Sequence, residues 1–210
     1  MAKLPRAPDA ARLRGTKPSL KTITGLRLHR LYERGGRYPT LWNAFRHIGP
    51  VSRFDHHTHS GDERPTYQDR GILYAAGDMP TAFAEFFQRN RRINRSLRQP
   101  WLVSFALSCE LRLLNLTDTF CLRVGASAKL VSGPFFHAQN WSRGFYEAYP
   151  DIQGLYYRSS LTNRPTIALY ERANRNSMFP ANPLFHRALS DPTLHGALVA
   201  VDEEIGYGLI

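Results

Sequence analysis

The densest group of residues that could do chemistry is Asp55-His56-His57-Thr58-His59, which Asp62 and Glu63 follow. Three imidazoles with carboxylates nearby are the ligand types that bind zinc. The sequence lacks the His-Glu-x-x-His helix of zinc hydrolases, and histidines this close together in one loop converge on an ion only with the help of further ligands. We therefore predict no metal site, and we interpret the histidines as structural residues that brace the loop carrying Arg53.

A second set of reactive side chains stands at or beside the ends of predicted strands, far apart in the chain: Arg30, Tyr74, Glu85 and Ser159. The sequence has no P-loop, no Gly-x-Gly-x-x-Gly turn after a strand and no Gly-x-Ser-x-Gly elbow, so nucleotide-loop and serine-hydrolase chemistry have no support. Spacing alone leaves two interpretations open. Glu85 and Tyr74 can be functional, or Glu85 can be solvated and Tyr74 an ordinary core residue.

The stretch Gly71–Phe87 is predicted to position two of these residues. Its apolar run, 72–76, has the length of a buried strand and contains Tyr74. Asp78 is a good N-cap, and Pro80 fits the first helical turn because its missing N–H is not needed there. The following helix has an apolar arc of roughly 140°, with Glu85 about 60° outside it; the arc consists of Ala82, Phe83, Phe86 and Phe87.

The net charge of +11 is concentrated at the N-terminus, where residues 1–30 hold eight Lys or Arg and one acid. We predict that residues 1–22 form a basic, mobile arm with a short helical stretch near 10–13, and that residues 23–210 form a single domain. Such an arm can bind nucleic acid or an acidic protein. No helix-turn-helix, zinc-finger or RNP pattern accompanies it, so direct nucleic-acid binding is not favoured.

Composition and patterning indicate a soluble, cytoplasmic protein. No apolar run approaches the roughly 20 residues of a membrane span, and no apolar segment of a secretory signal follows the basic N-terminus. Cys109 and Cys121 have neither metal-ligand nor redox spacing, so we expect reduced thiols and no membrane partner.

Strands and helices are predicted to interleave without a strict βαβ rhythm, which favours an α+β domain. The predicted helices cover 78–87 and 135–149, and the predicted strands cover 23–33, 72–76, 101–108, 111–116, 152–157, 166–170 and 194–201. The segment 38–66 is a long irregular loop that holds Trp42 and Arg46, and such loops are often functional. The arginine-rich segment 88–98 is interpreted as exposed loop or helix end.

Four pieces of the sequence, in order between residues 28 and 172, resemble the RES domain, named for Arg, Glu and Ser. They are LHRLY with Arg30, SRFD of Ser52–Asp55, GILYAAGDMPTAFAEFF with Glu85, and GLYYRSS with Ser159. Two departures stand out: Arg158 replaces the proline of the family's Tyr-Pro-Ser, and Ser52 replaces the glycine of its Gly-Arg turn. The resemblance implies an α+β fold similar to ADP-ribosyltransferases, with a mixed, split β-sheet, flanking helices and a cleft for NAD⁺.

The resemblance also implies an activity, that of an enzyme that degrades NAD⁺ by cleaving the nicotinamide–ribose bond through phosphorolysis or hydrolysis. Its relatives are toxins that a helix-turn-helix antitoxin neutralises. NAD⁺ would then be the substrate, inorganic phosphate the potential co-substrate, and no further cofactor would be needed. The acceptor, an antitoxin for this chain and a homodimer are left open. Two alternatives also stay open: ADP-ribose transfer to a macromolecule, and a basic nucleic-acid-binding protein.

Carried over residue by residue, the resemblance implies roles for eight side chains. Arg30 would bind a phosphate of NAD⁺, Tyr74 would stack on nicotinamide, and Glu85 would face the ribose whose bond breaks. Ser159 would hydrogen-bond a phosphate or ribose hydroxyl, with Ser160 beside it. Arg53 would bind a substrate phosphate or the incoming phosphate. Two more residues complete the predicted substrate-binding set, Arg46 and Trp42.

Overall fold

The structure is a computed structural model that describes residues 5–59 and 64–210. The strands in this part are β1 (Leu20–Ile23), β2 (Arg27–Glu33), β3 (Arg46–Gly49), β4 (Thr66–Ala76), β5 (Arg92–Ile93), β6 (Pro100–Ala106), β7 (Leu111–Asn115), β8 (Gly154–Arg158), β9 (Pro165–Tyr170), β10 (Phe185–Ala188) and β11 (Gly208–Leu209). The α-helices are α1 (Ala10–Arg14), α2 (Met79–Phe86), α3 (Phe120–Arg123), α4 (Lys129–Ser132), α5 (Phe135–Ala148) and α6 (His195–Ile205). No helix among the described residues has the length and apolar character needed to cross a membrane.

Within residues 5–59 and 64–210, the main sheet has nine strands in the order β1-β7-β8-β9-β4-β2-β6-β10, with β3 paired to β4. β7 and β8 run parallel and the other neighbours antiparallel. β2 and β4 pair only through His29 and Ala76 in the described part, so the sheet divides into two halves there. The predicted α+β fold, with a mixed, split sheet and flanking helices, is confirmed.

The junction of β4 and α2 forms as the sequence predicts. The Asp78 carboxylate accepts a hydrogen bond from the Thr81 N–H at 2.9 Å, and Pro80 occupies the first turn. Phe83 is fully buried in the cluster that joins α2 to α6, which fixes the rotation of the helix about its axis. Glu85 consequently lies on the flank of α2, beside the buried face.

The helix predicted over 135–149 is present as α5. It covers one face of the larger half of the sheet. Trp141 and Phe145 of α5 are buried together with Leu155 of β8 and Tyr170 of β9. The helix ends directly before Tyr149-Pro150, because proline cannot continue it. This packing places the N-terminal end of α5 near the irregular segment that carries Arg53.

Residues 5–23 pack against the domain in the structure, which differs from the separate arm that we predicted. Leu13 of α1 is buried against α5. The Tyr149 hydroxyl donates to the carbonyl oxygens of Leu13 and Thr16 at 2.7 and 3.0 Å, and β1 pairs with β7. The short helix predicted near 10–13 is present as α1. The basic composition gave no indication of this packing, because the burial of Leu13 and the main-chain pairing of β1 with β7 provide it.

The prediction of a last strand over 194–201 is wrong, because this segment lies in α6 and the turn before it. Leu194, Leu198 and Val201 are buried on one helical face. Their spacing of four and three residues matches a helix, and Gly206 ends the helix in a left-handed conformation with φ of 66°. A short apolar run does not by itself distinguish a strand from a buried helix.

Candidate active site

Three side chains from separate parts of the chain lie near one another, close enough for two of them to affect the pKa of the Glu85 carboxylate. Glu85 comes from α2, and Ser159, which follows β8, lies close enough for its hydroxyl to lower the pKa of the carboxylate. Arg53 comes from the irregular segment before β4, and its positive charge acts on the same carboxylate. The structure therefore unites three of the residues that the sequence analysis singled out.

The pKa of Glu85 reflects its partly buried position and two neighbouring groups that oppose the effect of burial. Burial raises the pKa of Glu85, whereas the hydrogen bond from Ser159 and the charge of Arg53 lower it; the net shift is upward. Gln88, just beyond the end of α2, donates to the main-chain carbonyl of Glu85 at 2.8 Å and lies 3.5 Å from its carboxylate. A carboxylate held in this way can stabilise a positive charge that develops beside it, because water screens it only partly.

Ser159 is held by the loop that joins β8 to β9. Its side chain is 2% exposed, and its hydroxyl oxygen accepts from the Leu161 N–H at 3.1 Å and the Thr162 N–H at 3.3 Å. The hydroxyls of Thr162 and Thr81 are 2.8 Å apart, which ties this loop to the first turn of α2. The loop and the helix thus position the Ser159–Glu85 pair together.

The two residues that flank Ser159, both named in the sequence analysis, are exposed. Ser160 is exposed, and its predicted substrate contact stays a prediction. Arg158, which replaces the family's proline, is also exposed and donates to the Asn163 carbonyl at 2.9 Å. The arginine that replaces the proline is therefore solvent-exposed, while Ser159 beside it is buried.

Arg53 lies over the start of α5. Its guanidinium donates to the Gly133 carbonyl and lies 4.7 Å from the centre of the Phe135 ring. Burial lowers the pKa of Arg53, and the nearby Glu85, Tyr157 and Tyr74 oppose that shift. A half-buried guanidinium beside a carboxylate is a suitable group for binding a phosphate oxygen.

Tyr74 and Arg46, two further predicted site residues, both contact Asp55. The Tyr74 hydroxyl donates to the Asp55 carboxylate at 2.9 Å and accepts from the Phe54 N–H at 2.9 Å. The Arg46 guanidinium donates to both carboxylate oxygens of Asp55 at 2.9 Å. These polar groups are used within the protein, while the substrate contacts predicted for Tyr74 and Arg46 stay predictions.

Arg30 and Trp42 contact each other at the loop after β2, and the charge of Arg46 acts on Arg30. Arg30 is buried on β2, and its Nη1 donates to the carbonyl oxygens of Trp42 and Ala44 at 2.8 and 3.0 Å. Burial lowers the pKa of Arg30 to about 9. The Trp42 ring packs edge-on against Phe179, with centroids 5.5 Å apart. Arg30 thus holds the loop after β2, and the phosphate contact predicted for it stays a prediction.

Two residues at the site were given no role there by the sequence analysis, Asp55 and Tyr157. Asp55 is fully buried, and its contacts connect Arg46, Tyr74 and the turn that carries Arg53. The Tyr157 ring packs edge-on against Phe54 with centroids 4.6 Å apart, and burial together with the charge of Glu85 raises its pKa well above the usual value. A signal for Tyr157 was present, because it directly precedes Arg158-Ser159 in the strand that delivers Ser159.

His56 and His57, which follow Asp55, are both fully buried, and their predicted bracing of the Arg53 loop stays a prediction. His56 is buried between the rings of Tyr146 and Tyr170, and its Nε2 lies 3.0 Å from the Glu171 carboxylate. Burial lowers the pKa of His57 to about 4. Among residues 5–59 and 64–210, no group of three or more His, Cys, Asp or Glu side chains is arranged to hold a metal ion. Two acids that the sequence analysis named with the histidines, Asp62 and Glu63, lie outside the described residues.

Comparison with known proteins agrees with this architecture. The family model described as RES domain matches residues 27–187, which includes Arg30, Glu85 and Ser159. One chain of the crystal structure of the M. tuberculosis MbcT–MbcA toxin–antitoxin complex has a similar fold, with a TM-score of 0.56 and 13% identity over 91% of this chain and 96% of that chain. No curated protein has a significant sequence match to the chain. Because the family model spans most of its length, the chain belongs to the RES domain family.

Proposed function

We propose that the chain is an NAD⁺-degrading enzyme that cleaves the nicotinamide–ribose bond, by phosphorolysis or hydrolysis. The observation that carries this proposal is the meeting of Glu85, Ser159 and Arg53 in a member of the RES domain family. A single half-buried carboxylate, braced by a hydroxyl and faced by a guanidinium, suits the cleavage of an N-glycosidic bond in a phosphate-bearing substrate.

Glu85 would act on the charge that builds up during bond cleavage. As the bond between the ribose anomeric carbon and the nicotinamide nitrogen breaks, its electron pair leaves with nicotinamide and positive charge builds on the ribose. A fixed carboxylate beside that carbon stabilises the charge. An oxygen of phosphate or water then bonds to the carbon, giving ADP-ribose-1″-phosphate or, with release of a proton, ADP-ribose.

Arg53 and Ser159 would support this step in different ways. Arg53 stays cationic and presents planar N–H groups, so it would bind a phosphate of NAD⁺ or the incoming inorganic phosphate. The Ser159 hydroxyl lowers the pKa of Glu85 and so stabilises its ionised form, which is the form that the step requires. In this proposal, Arg53 therefore binds the substrate, and Glu85 stabilises the positive charge that develops on the ribose.

We further propose that the chain is the toxin of a toxin–antitoxin pair. The support is the fold likeness to a chain of the MbcT–MbcA toxin–antitoxin complex, together with membership of the RES domain family. An enzyme that depletes the NAD⁺ of its own cell would stop growth unless a partner restrained it. Expression of the wild-type chain should therefore arrest growth, and expression of Glu85→Gln should not.

The direct test measures the products formed from NAD⁺ by the purified chain, with and without inorganic phosphate. We expect nicotinamide release that falls about 10²- to 10³-fold in Glu85→Gln, because the amide keeps the shape and removes the charge. Glu147→Gln is the matched control, since Glu147 pairs with Arg70 at 2.9 Å and is 43% exposed. Phosphate-dependent release identifies phosphorolysis, and release without phosphate identifies hydrolysis. Unchanged release by Glu85→Gln, or none by the folded wild type, would refute the proposal.

A further inference from the structure

We infer that Asp55 is a positioning residue, which fixes the turn Val51–Asp55 and thereby holds Arg53 in place beside Glu85. The kinetic part of this inference rests on the proposed function. The structural part concerns the chain alone and can be tested separately. It also gives Tyr74 and Arg46 new roles, as the two side chains that attach this turn to the sheet.

The Asp55 carboxylate is buried and surrounded by donors. One oxygen accepts from the Tyr74 hydroxyl at 2.9 Å, and the other accepts from the N–H groups of Val51 and Ser52. The Arg46 guanidinium contacts both oxygens. Asp55 therefore closes the turn on itself and links it to β3 through Arg46 and to β4 through Tyr74.

Neighbouring side chains hold the remaining main-chain groups of the turn. The Ser52 carbonyl accepts from the Gln139 side chain at 3.0 Å, and the Phe54 carbonyl accepts from the Ser142 hydroxyl at 2.7 Å. The Phe54 N–H donates to the Tyr74 hydroxyl, and the Phe54 ring is buried. Arg53 projects from the middle of this turn, so its position depends on the turn being held.

Asp55 and Arg46 form a largely buried ion pair, which gives the charge at position 55 a structural role. Arg46 is 18% exposed and Asp55 is fully buried, so each charge depends on the other for compensation. Removal of one partner leaves a poorly solvated charge, and the turn is expected to shift to relieve it. Because a displacement of about 1 Å is enough to disrupt a catalytic arrangement, Arg53 would lose its alignment with the substrate.

The kinetic test is a double-mutant cycle on the Michaelis constant for NAD⁺, with Asp55→Asn, Arg53→Ala and both together. Asp55→Asn should raise KM about tenfold with a smaller change in kcat, because a misplaced Arg53 weakens binding in the ground and transition states alike. In the Arg53→Ala background, the same change should alter KM less than about twofold. Glu147→Gln, the surface control, should leave both constants unchanged. The inference would be overturned if the effects of Asp55→Asn and Arg53→Ala on KM multiply, as independent effects do. An unchanged KM in Asp55→Asn would overturn it as well.

A second test does not depend on activity. Amide hydrogen exchange at Val51, Ser52 and Phe54, with the NMR signal of the Arg53 side-chain N–H, should change in Asp55→Asn and not in Glu147→Gln. If Asp55→Asn does not fold, Tyr74→Phe is the variant measured in its place. It keeps the Arg46–Asp55 ion pair and removes the hydroxyl that binds Asp55 and the Phe54 N–H. Unaltered exchange, or loss of the fold in both variants, would refute the positioning role. If the wild type leaves NAD⁺ intact, the proposed function fails and exchange still decides the role of Asp55.

Discussion

Glu85 illustrates how single residues set the chemistry of this site. Burial destabilises its ionised form, while the Ser159 hydroxyl and the Arg53 charge stabilise it. The upward net shift of its pKa means that the carboxylate becomes protonated at a higher pH than an exposed glutamate. Since the proposed step needs the ionised form, activity should be lost as the pH falls through this raised pKa.

The Ser159 hydroxyl can be tested through this pH dependence. Ser159→Ala removes a hydrogen bond that lowers the pKa of Glu85, so the pKa should rise further. The acid limb of the profile of kcat against pH should then move to higher pH, as measured by nicotinamide release. Ser96→Ala, at an exposed position in the arginine-rich loop, is the matched control. An acid limb at the wild-type position would contradict the contact between Ser159 and Glu85.

The strand–turn–helix unit from β4 to α2 is the element on which the site depends. β4 presents Tyr74 to the turn that carries Arg53, and α2 presents Glu85 to Ser159. Asp78 stands at the junction, where it caps α2 and also pairs with Arg164 of the loop after Ser159 at 3.2 Å. One carboxylate thus connects the two elements that position the Glu85–Ser159 pair.

Loss of this cap should destabilise the fold. We expect Asp78→Ala to lower the free energy of unfolding by about 1 kcal/mol, because the Thr81 N–H loses its acceptor. Urea denaturation followed by circular dichroism measures the change. Asp151→Ala, at an exposed position, should change the same quantity by less than about 0.5 kcal/mol. Equal stabilities of the two variants would argue against a capping role for Asp78.

At the scale of the whole molecule, the N-terminal segment is part of the core. Leu13 occupies the same buried cluster as Trp141 and Phe145 of α5, and the Trp141 indole N–H donates to the Pro5 carbonyl at 3.0 Å. The basic residues around Leu13 therefore lie on the outside of a packed segment. Stability, rather than a separate binding function, is the first property that this segment is expected to affect.

Leu13→Ala tests this packing. Deletion of a buried leucine side chain should lower the free energy of unfolding by about 2–5 kcal/mol, through lost burial and a residual cavity. Leu122→Ala is the matched control, since Leu122 is 74% exposed and should tolerate the same change. Thermal or urea denaturation of both variants measures the difference. A Leu13→Ala variant as stable as the control would mean that the segment does not contribute to the core.

The sequence by itself determined the local elements and the residue types of the site. Asp78, Pro80 and the apolar run before them specify β4 and α2, because caps, proline and apolar spacing act over a few residues. The family resemblance singled out Glu85, Arg53 and Ser159 before their contacts were known. These predictions depended on short stretches of chain, in which the physical signals lie close together.

Only the tertiary structure decided which distant groups become partners. It paired Arg46 with Asp55, bound the Tyr74 hydroxyl to the same carboxylate, and placed Leu13 in the core. It also made the segment after Leu194 a helix, because the helical conformation places the apolar residues of this short run on one face that is buried against α2. Burial and charge compensation arise between residues far apart in sequence, so no local pattern reveals which ion pair or core contact will form.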